Sequence, residues 1–189
     1  MQTSLRITAC FSILLTSGCF VQSLNPLVDD TVTCRDARLP GTWVLFDDVF
    51  DISRKDHTWT ITEAADDSYR LTASMDGKTS EYTLRIMKAR DYLIADMVKS
   101  HSIDEEFRIN SVRVHQLLKL SIEKGELRTA SLIPARNFQS LARKHHLAYS
   151  TVDGRTILTA STGDLQEFFL EHGEAAFADF STTFKRSAP

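Results

Sequence analysis

Residues Ser68–Lys88 read SYRLTASM, then DG, then KTSEYTLRIMK. Tyr69, Leu71, Ala73 and Met75 alternate with Ser68, Arg70, Thr72 and Ser74, and Tyr82, Leu84 and Ile86 alternate with Glu81, Thr83 and Arg85. A period of two gives each strand one apolar and one polar face. Asp76-Gly77 lies between the two runs. A two-residue hairpin loop of type I′ needs positive φ at both positions, which Asp-Gly supplies. The stretch therefore predicts an antiparallel hairpin with one face to be covered.

The same pattern extends in both directions. His57–Glu63 places Trp59 and Ile61 on one face, with threonines on the other. Val112–Ile122 places Val112, Val114, Leu118, Leu120 and Ile122 on one face, with Gln116 as the polar exception. Short turns follow the strands: Asp66-Asp67, Glu123-Lys124-Gly125-Glu126 and Asp153-Gly154. Tight turns make antiparallel neighbours. About nine strands are expected from Thr42 to Lys185. A sheet with one apolar face covers that face and removes its edges by curling into a barrel. The expected class is mainly β, an antiparallel up-and-down barrel with two short helices. Those helices are read at Pro134–His146, where Phe138, Leu141 and Ala142 form a stripe, and at Asp164–His172, with Leu165, Phe168 and Phe169. Ser161 and Asp164 resemble a capping box and Gly173 a stop. The segment Tyr92–Val98, apolar on both faces apart from Asp96, is the expected partner of these helices.

Three regions are read along the chain: 1–18 as a signal segment, 19–39 as a tether that includes Asn25-Pro26 and Asp29-Asp30, and 40–189 as the barrel domain. Arg6 leads into the run Ile7–Gly18, which is too short for a bilayer span of roughly twenty residues. The net charge of −3 is spread over a well-mixed surface and argues against nucleic acid, as does an export signal. Of the three cysteines, Cys10 would leave with the signal, so Cys34 is expected to have no disulfide partner in the mature chain if Cys19 is modified.

Leu15-Thr16-Ser17-Gly18-Cys19 resembles the lipobox of bacterial lipoproteins. The resemblance implies that Cys19 becomes the first residue of the mature chain and carries the lipid. It also implies an envelope location, in the outer membrane facing the periplasm where two membranes exist, because Phe20 stands where an Asp marks inner-membrane retention. An ordinary signal peptide cut near Gly18 would instead leave Cys19 a plain thiol. Gly41-Thr42-Trp43 resembles the Gly-x-Trp signature of lipocalins, and Arg90-Asp91-Tyr92 is faintly similar to their second motif. This resemblance implies a barrel whose Trp closes the bottom, and a lumen that can hold a small apolar ligand.

Candidate ligand contacts are Trp43, Trp59 and Gln116; packing is the competing role for the tryptophans, and a satisfied buried amide for Gln116. His145-His146 diverge on a helix, and His57, His101, His115 and His172 lack ligand spacing, so no metal or cofactor is expected. Asp47-Asp48 and Asp104-Glu105-Glu106 lack calcium-loop spacing. No nucleophile elbow or acid–base constellation is present, and an enzyme is not expected. Two roles remain. One is a structural or partner-binding envelope protein with a lumen filled by Trp59, Tyr69, Tyr82, Phe107, Phe180 and Phe184. The other is a lipocalin-like carrier of a small apolar ligand. Arg136, Arg143 and Lys144 form a basic helix face, read as solvated or as facing anionic headgroups.

Overall fold

A computed structural model describes residues 21–48, 52–100 and 112–187. The strands are β1 (Val21–Ser23), β2 (Gly41–Asp47), β3 (Ile52–Glu63), β4 (Tyr69–Met75), β5 (Lys78–Ala89), β6 (Tyr92–Lys99), β7 (His115–Glu123), β8 (Glu126–Ser131), β9 (Tyr149–Val152), β10 (Arg155–Leu158) and β11 (Thr182–Arg186). The helices are α1 (Ala135–Lys144) and α2 (Thr162–Ala176). Strands β2 to β8 pair in chain order, β11 pairs with both β8 and β2, and β6 pairs with β7, so eight antiparallel strands close on themselves. The remaining strands stand outside this ring: β1 pairs with the start of β7 and, in parallel, with β10, whose other neighbour is β9.

Turn chemistry sets the register. Asp76 and Gly77, Lys124 and Gly125, and Asp153 and Gly154 all have positive φ, as type I′ hairpins require. Alternation then sends Trp59, Ile61, Leu71, Leu84, Ile86, Leu120 and Ile122 into the lumen, each buried. Strand β6 is buried on both faces. Its Leu93, Ala95 and Met97 join the lumen, while Tyr92 and Ile94 join a second core outside the wall. That second core holds the helices. Phe138 and Ala142 of α1 and Leu165, Phe168 and Phe169 of α2 are buried there with Leu117 and Met87. The helices therefore cover the outside of the barrel.

Several expectations change. The stretch 19–39 is not a free tether from Val21 onward. Leu27 and Leu39 are fully buried, Val28 is nearly so, and Cys34 donates its backbone N–H to Ile86. This segment is a strap wound on the barrel; its apolar residues are scattered among polar ones and find their partners only at long range. Gly173 does not stop α2, which runs on to Ala176. A Cβ at Gly173 would lie 2.5 Å from the Tyr92 hydroxyl, so the glycine makes room for that side chain of β6 against the helix. Ser161 does cap α2: its Oγ accepts from the Asp164 N–H and donates to the Asp164 carboxylate. Val112 is exposed and β7 begins only at His115. Phe180 is half-exposed and its ring lies under the Lys119 ammonium, outside the lumen. Cys10, Cys19, Phe20, His101, Phe107 and the acidic run at 104–106 lie outside the described residues, among which Cys34 is a free thiol.

Candidate functional site

The lumen is the first place to look, because eight strands enclose a space that side chains either fill or leave to one small ligand. Trp43 and Trp59 face each other directly across β2 and β3. Trp43 is fully buried and donates Nε1–H to the Leu39 carbonyl at 2.9 Å. The Arg186 guanidinium lies 4.4 Å over its ring and donates to the carbonyls of Pro40 and Arg38. Gly41 makes room for it: with φ at +141°, it has no Cβ, and one would stand 2.5 Å from Arg186 Nη1. Gly41-Thr42-Trp43 thus builds a plug at one end of the barrel. Trp59 stacks on Phe184 with ring centroids 4.6 Å apart. Tyr69, also buried, accepts at its hydroxyl from the Asp36 N–H at 2.9 Å, and its own proton is held more tightly than usual, chiefly by burial. Gln116 is half-buried opposite Met97, about 20 Å of strand away from Ile122 at the plugged end. The structure therefore brings the two tryptophans together as packing and leaves Gln116 apart near the other end.

A cleft lies on the outside of the barrel wall, between the strap, β5, β6 and the start of β7. Its volume is about 690 Å³, and Asp30, Arg85, Asp96, Lys99, Arg113 and His115 are among its walls. Asp96 is its buried centre, only 4% exposed. One carboxylate oxygen accepts the strap N–H groups of Leu27 at 2.7 Å and Val28 at 3.2 Å, and the other accepts from His115 Nδ1 at 2.6 Å. A buried carboxylate is tolerated when its lone pairs are used in this way. On the strap side, Arg85 pairs with Asp30. The Asp29 carboxyl is held below the usual carboxylate range, first by the hydrogen bond from the Thr31 hydroxyl. An imidazole fixed by a buried carboxylate, beside three cationic side chains, suits hydrogen bonding to an acidic or polar partner. Asp96 thus ties the strap to β7 through His115, and the pair forms a clasp in the wall of the cleft. Asp96 was visible in the sequence as the one acid in Tyr92–Val98; its partners, nearly seventy residues away for the strap, were not.

Two other clusters join residues that spacing kept apart. Asp56, His57 and Asp76 bring potential ligand atoms within 4.8 Å of one another. A register irregularity between Val44 and Leu45 leaves residues 55–57 of β3 unpaired with β2, and the β3–β4 register brings His57 alongside the β4–β5 turn. His57 Nε2 lies 3.0 Å from Asp76, while its buried Nδ1 has no partner. A metal on Nε2 would force the ring proton onto that partnerless nitrogen, whereas metal-bound histidines donate it to an acceptor. The arrangement fits a hydrogen bond from Nε2–H to Asp76, which holds the Asp76 carboxyl below its ordinary range. The ring of His145, after α1, lies tilted against that of His172 of α2 with centroids 3.6 Å apart. The His145 pKa falls below its usual value, first through partial burial and then through the neighbouring His172.

No described helix is long and apolar enough to cross a membrane. Compared with known proteins, the chain matches no family model, no curated protein and no solved structure.

Proposed function

We propose that this chain is an exported, lipid-anchored envelope protein whose barrel is a filled scaffold and whose working surface is its outer wall. The observation that carries the reading is the lumen: Trp43, Trp59, Tyr69 and Phe184 all lie buried within it, alongside Leu71, Leu84 and Ile86. Space used by side chains is not available to a carried molecule. The anchor follows from the resemblance of Leu15–Cys19 to a lipobox, with Cys19 as the acylated residue. The lateral cleft around Asp96 and His115 is then the binding surface, and its mixed charges suit a polar or acidic segment of an envelope partner. No chemical step is assigned to it.

Photo-crosslinking in intact cells tests this reading. A photoreactive residue at Thr83, on the cleft wall, is expected to capture an envelope component that the same residue at Thr60, on a different strand, does not. Equal capture at both positions, or an apolar molecule recovered at one per chain from the purified protein, would instead support a carrier.

A further inference from the structure

The first described residue, Val21, has a fixed spatial relation to the helix layer. One residue, Phe20, separates Cys19 from Val21, so the two lie at most about 7 Å apart along an extended chain. Val21 is already in β1 and pairs in register with Thr156 of β10. Thr156 in turn accepts a 2.8 Å hydrogen bond from Gln139 of α1. Gln139 is one helical turn from Arg136 and one from Arg143, so both arginines flank the point where α1 meets the strand beside the start of β1.

The two helices also differ in charge. Helix α1 carries Arg136, Arg143 and Lys144, all exposed, and no acid. Helix α2 carries Asp164, Glu167, Glu171 and Glu174, and neither Lys nor Arg. The basic helix lies beside the strand that pairs with Val21, and the strap from Asn25 to Leu27 then meets the N-terminal end of α2. Beside β10, Val152 is 54% exposed at the tip of the β9–β10 hairpin.

We infer that α1 and the β9–β10 tip form the face on which the acylated protein lies against an anionic bilayer, with Arg136, Arg143 and Lys144 on lipid phosphates. The inference rests on acylation of Cys19. A strap packed from Val21 onward gives no stand-off, so a lipid at Cys19 holds this face within one or two side-chain lengths of the headgroups.

The test uses the acylated full chain, extracted and reconstituted into vesicles. In a Cys34→Ser background, Ser140→Cys on α1, or Thr79→Cys on the β4–β5 hairpin, takes a single dye; a lipid bearing a headgroup quencher reports proximity. With phosphatidylglycerol present, quenching is expected at 140 and not at 79. Reversal of the three charges (Arg136→Glu, Arg143→Glu, Lys144→Glu) is expected to reduce the docked population by about a hundredfold or more while the anchor holds the protein on the vesicle. Equal quenching at 79 and 140, or quenching at 140 indifferent to phosphatidylglycerol and to charge reversal, overturns the assignment of this face. Two dyes per chain would mean a free thiol at Cys19; that result removes the anchor itself and is read by mass, independently of quenching.

Discussion

Replacing Asp96 with alanine should release the strap from the barrel. The carboxylate serves two strap N–H groups and one imidazole, and it is 4% exposed. Its loss orphans the Leu27 and Val28 donors at about 1–3 kcal/mol each. Holding the strap in place against that are the Leu27 and Val28 side chains, whose burial is worth about 1.5–3 kcal/mol apiece. The two sums nearly balance, so the strap opens locally for a substantial fraction of the time, and the global cost is expected at about 3–5 kcal/mol by either route. Asp96→Asn keeps one acceptor and turns an NH₂ toward a donor, so it should cost about half as much. His115→Ala spares both strap bonds and should cost least. Urea unfolding followed by the fluorescence of Trp43 and Trp59 reports the barrel, and amide exchange at Leu27 and Val28 reports the strap. A destabilisation below about 0.5 kcal/mol, the range of an ordinary surface substitution, with the Leu27 amide still protected, would refute the reasoning.

Three further outcomes follow from the geometry. Gly173→Ala gains about 1 kcal/mol of helix propensity but drives a Cβ into the Tyr92 hydroxyl, an overpacking cost of about 1–3 kcal/mol, so thermal melts should show a net loss. Adding Tyr92→Phe should rescue it, since the next atom, Cζ, is 3.7 Å away; the absence of coupling in the double-mutant cycle would count against close packing there. Trp59→Ala should cost about 3–5 kcal/mol and leave a void beside Phe184 that takes up a small apolar probe, whereas the parent protein binds none; a probe bound equally by both would indicate a lumen that was never filled. Stability should fall with acid in two stages. His145 resists its proton when folded, so stability declines as pH drops below its usual 6.5 and levels off at the folded value. The Asp36 carboxyl, lowered by its hydrogen bond from Arg38, and that of Asp76, lowered by His57, stabilise above the usual 3.8, a contribution lost as pH falls through their lower folded values. His145→Gln should reduce the slope of denaturation midpoint between pH 7 and 5, and an unchanged slope would exclude the first stage.

The barrel was legible because its signals are local. Period-two alternation in Tyr69–Met75 and Glu81–Lys88, with Asp-Gly between them, specifies face, direction and register within about twenty residues. The helices were legible for the same reason, from Phe138 and Ala142 and from Leu165, Phe168 and Phe169. What stayed hidden depends on long-range contact. Leu27 and Val28 are two apolar residues between Pro26 and Asp29, a composition equally suited to a loop, and only the distant residues of the second core bury them. The strands β9 and β10 alternate like barrel strands, yet β1 draws them outside the ring. Gly173 reads as a helix stop because the Tyr92 hydroxyl that explains it lies on another strand. The site was less legible than the fold. Trp43 and Trp59 were visible, but their role depends on Arg186, Leu39 and Phe184, all supplied by other segments. His115 and Asp96 each looked unpaired until the β6–β7 register placed them together.

The proposed chain is acylated at Cys19, has no room in its lumen for cargo, and meets its surroundings with its outer wall. Native mass spectrometry of the protein extracted from membranes measures the first two features at once. The expected mass is that of the chain beginning at Cys19 plus covalently bound acyl groups, with nothing further released on activation. A chain beginning elsewhere with a free Cys19 thiol, or one apolar molecule released per barrel, would contradict it.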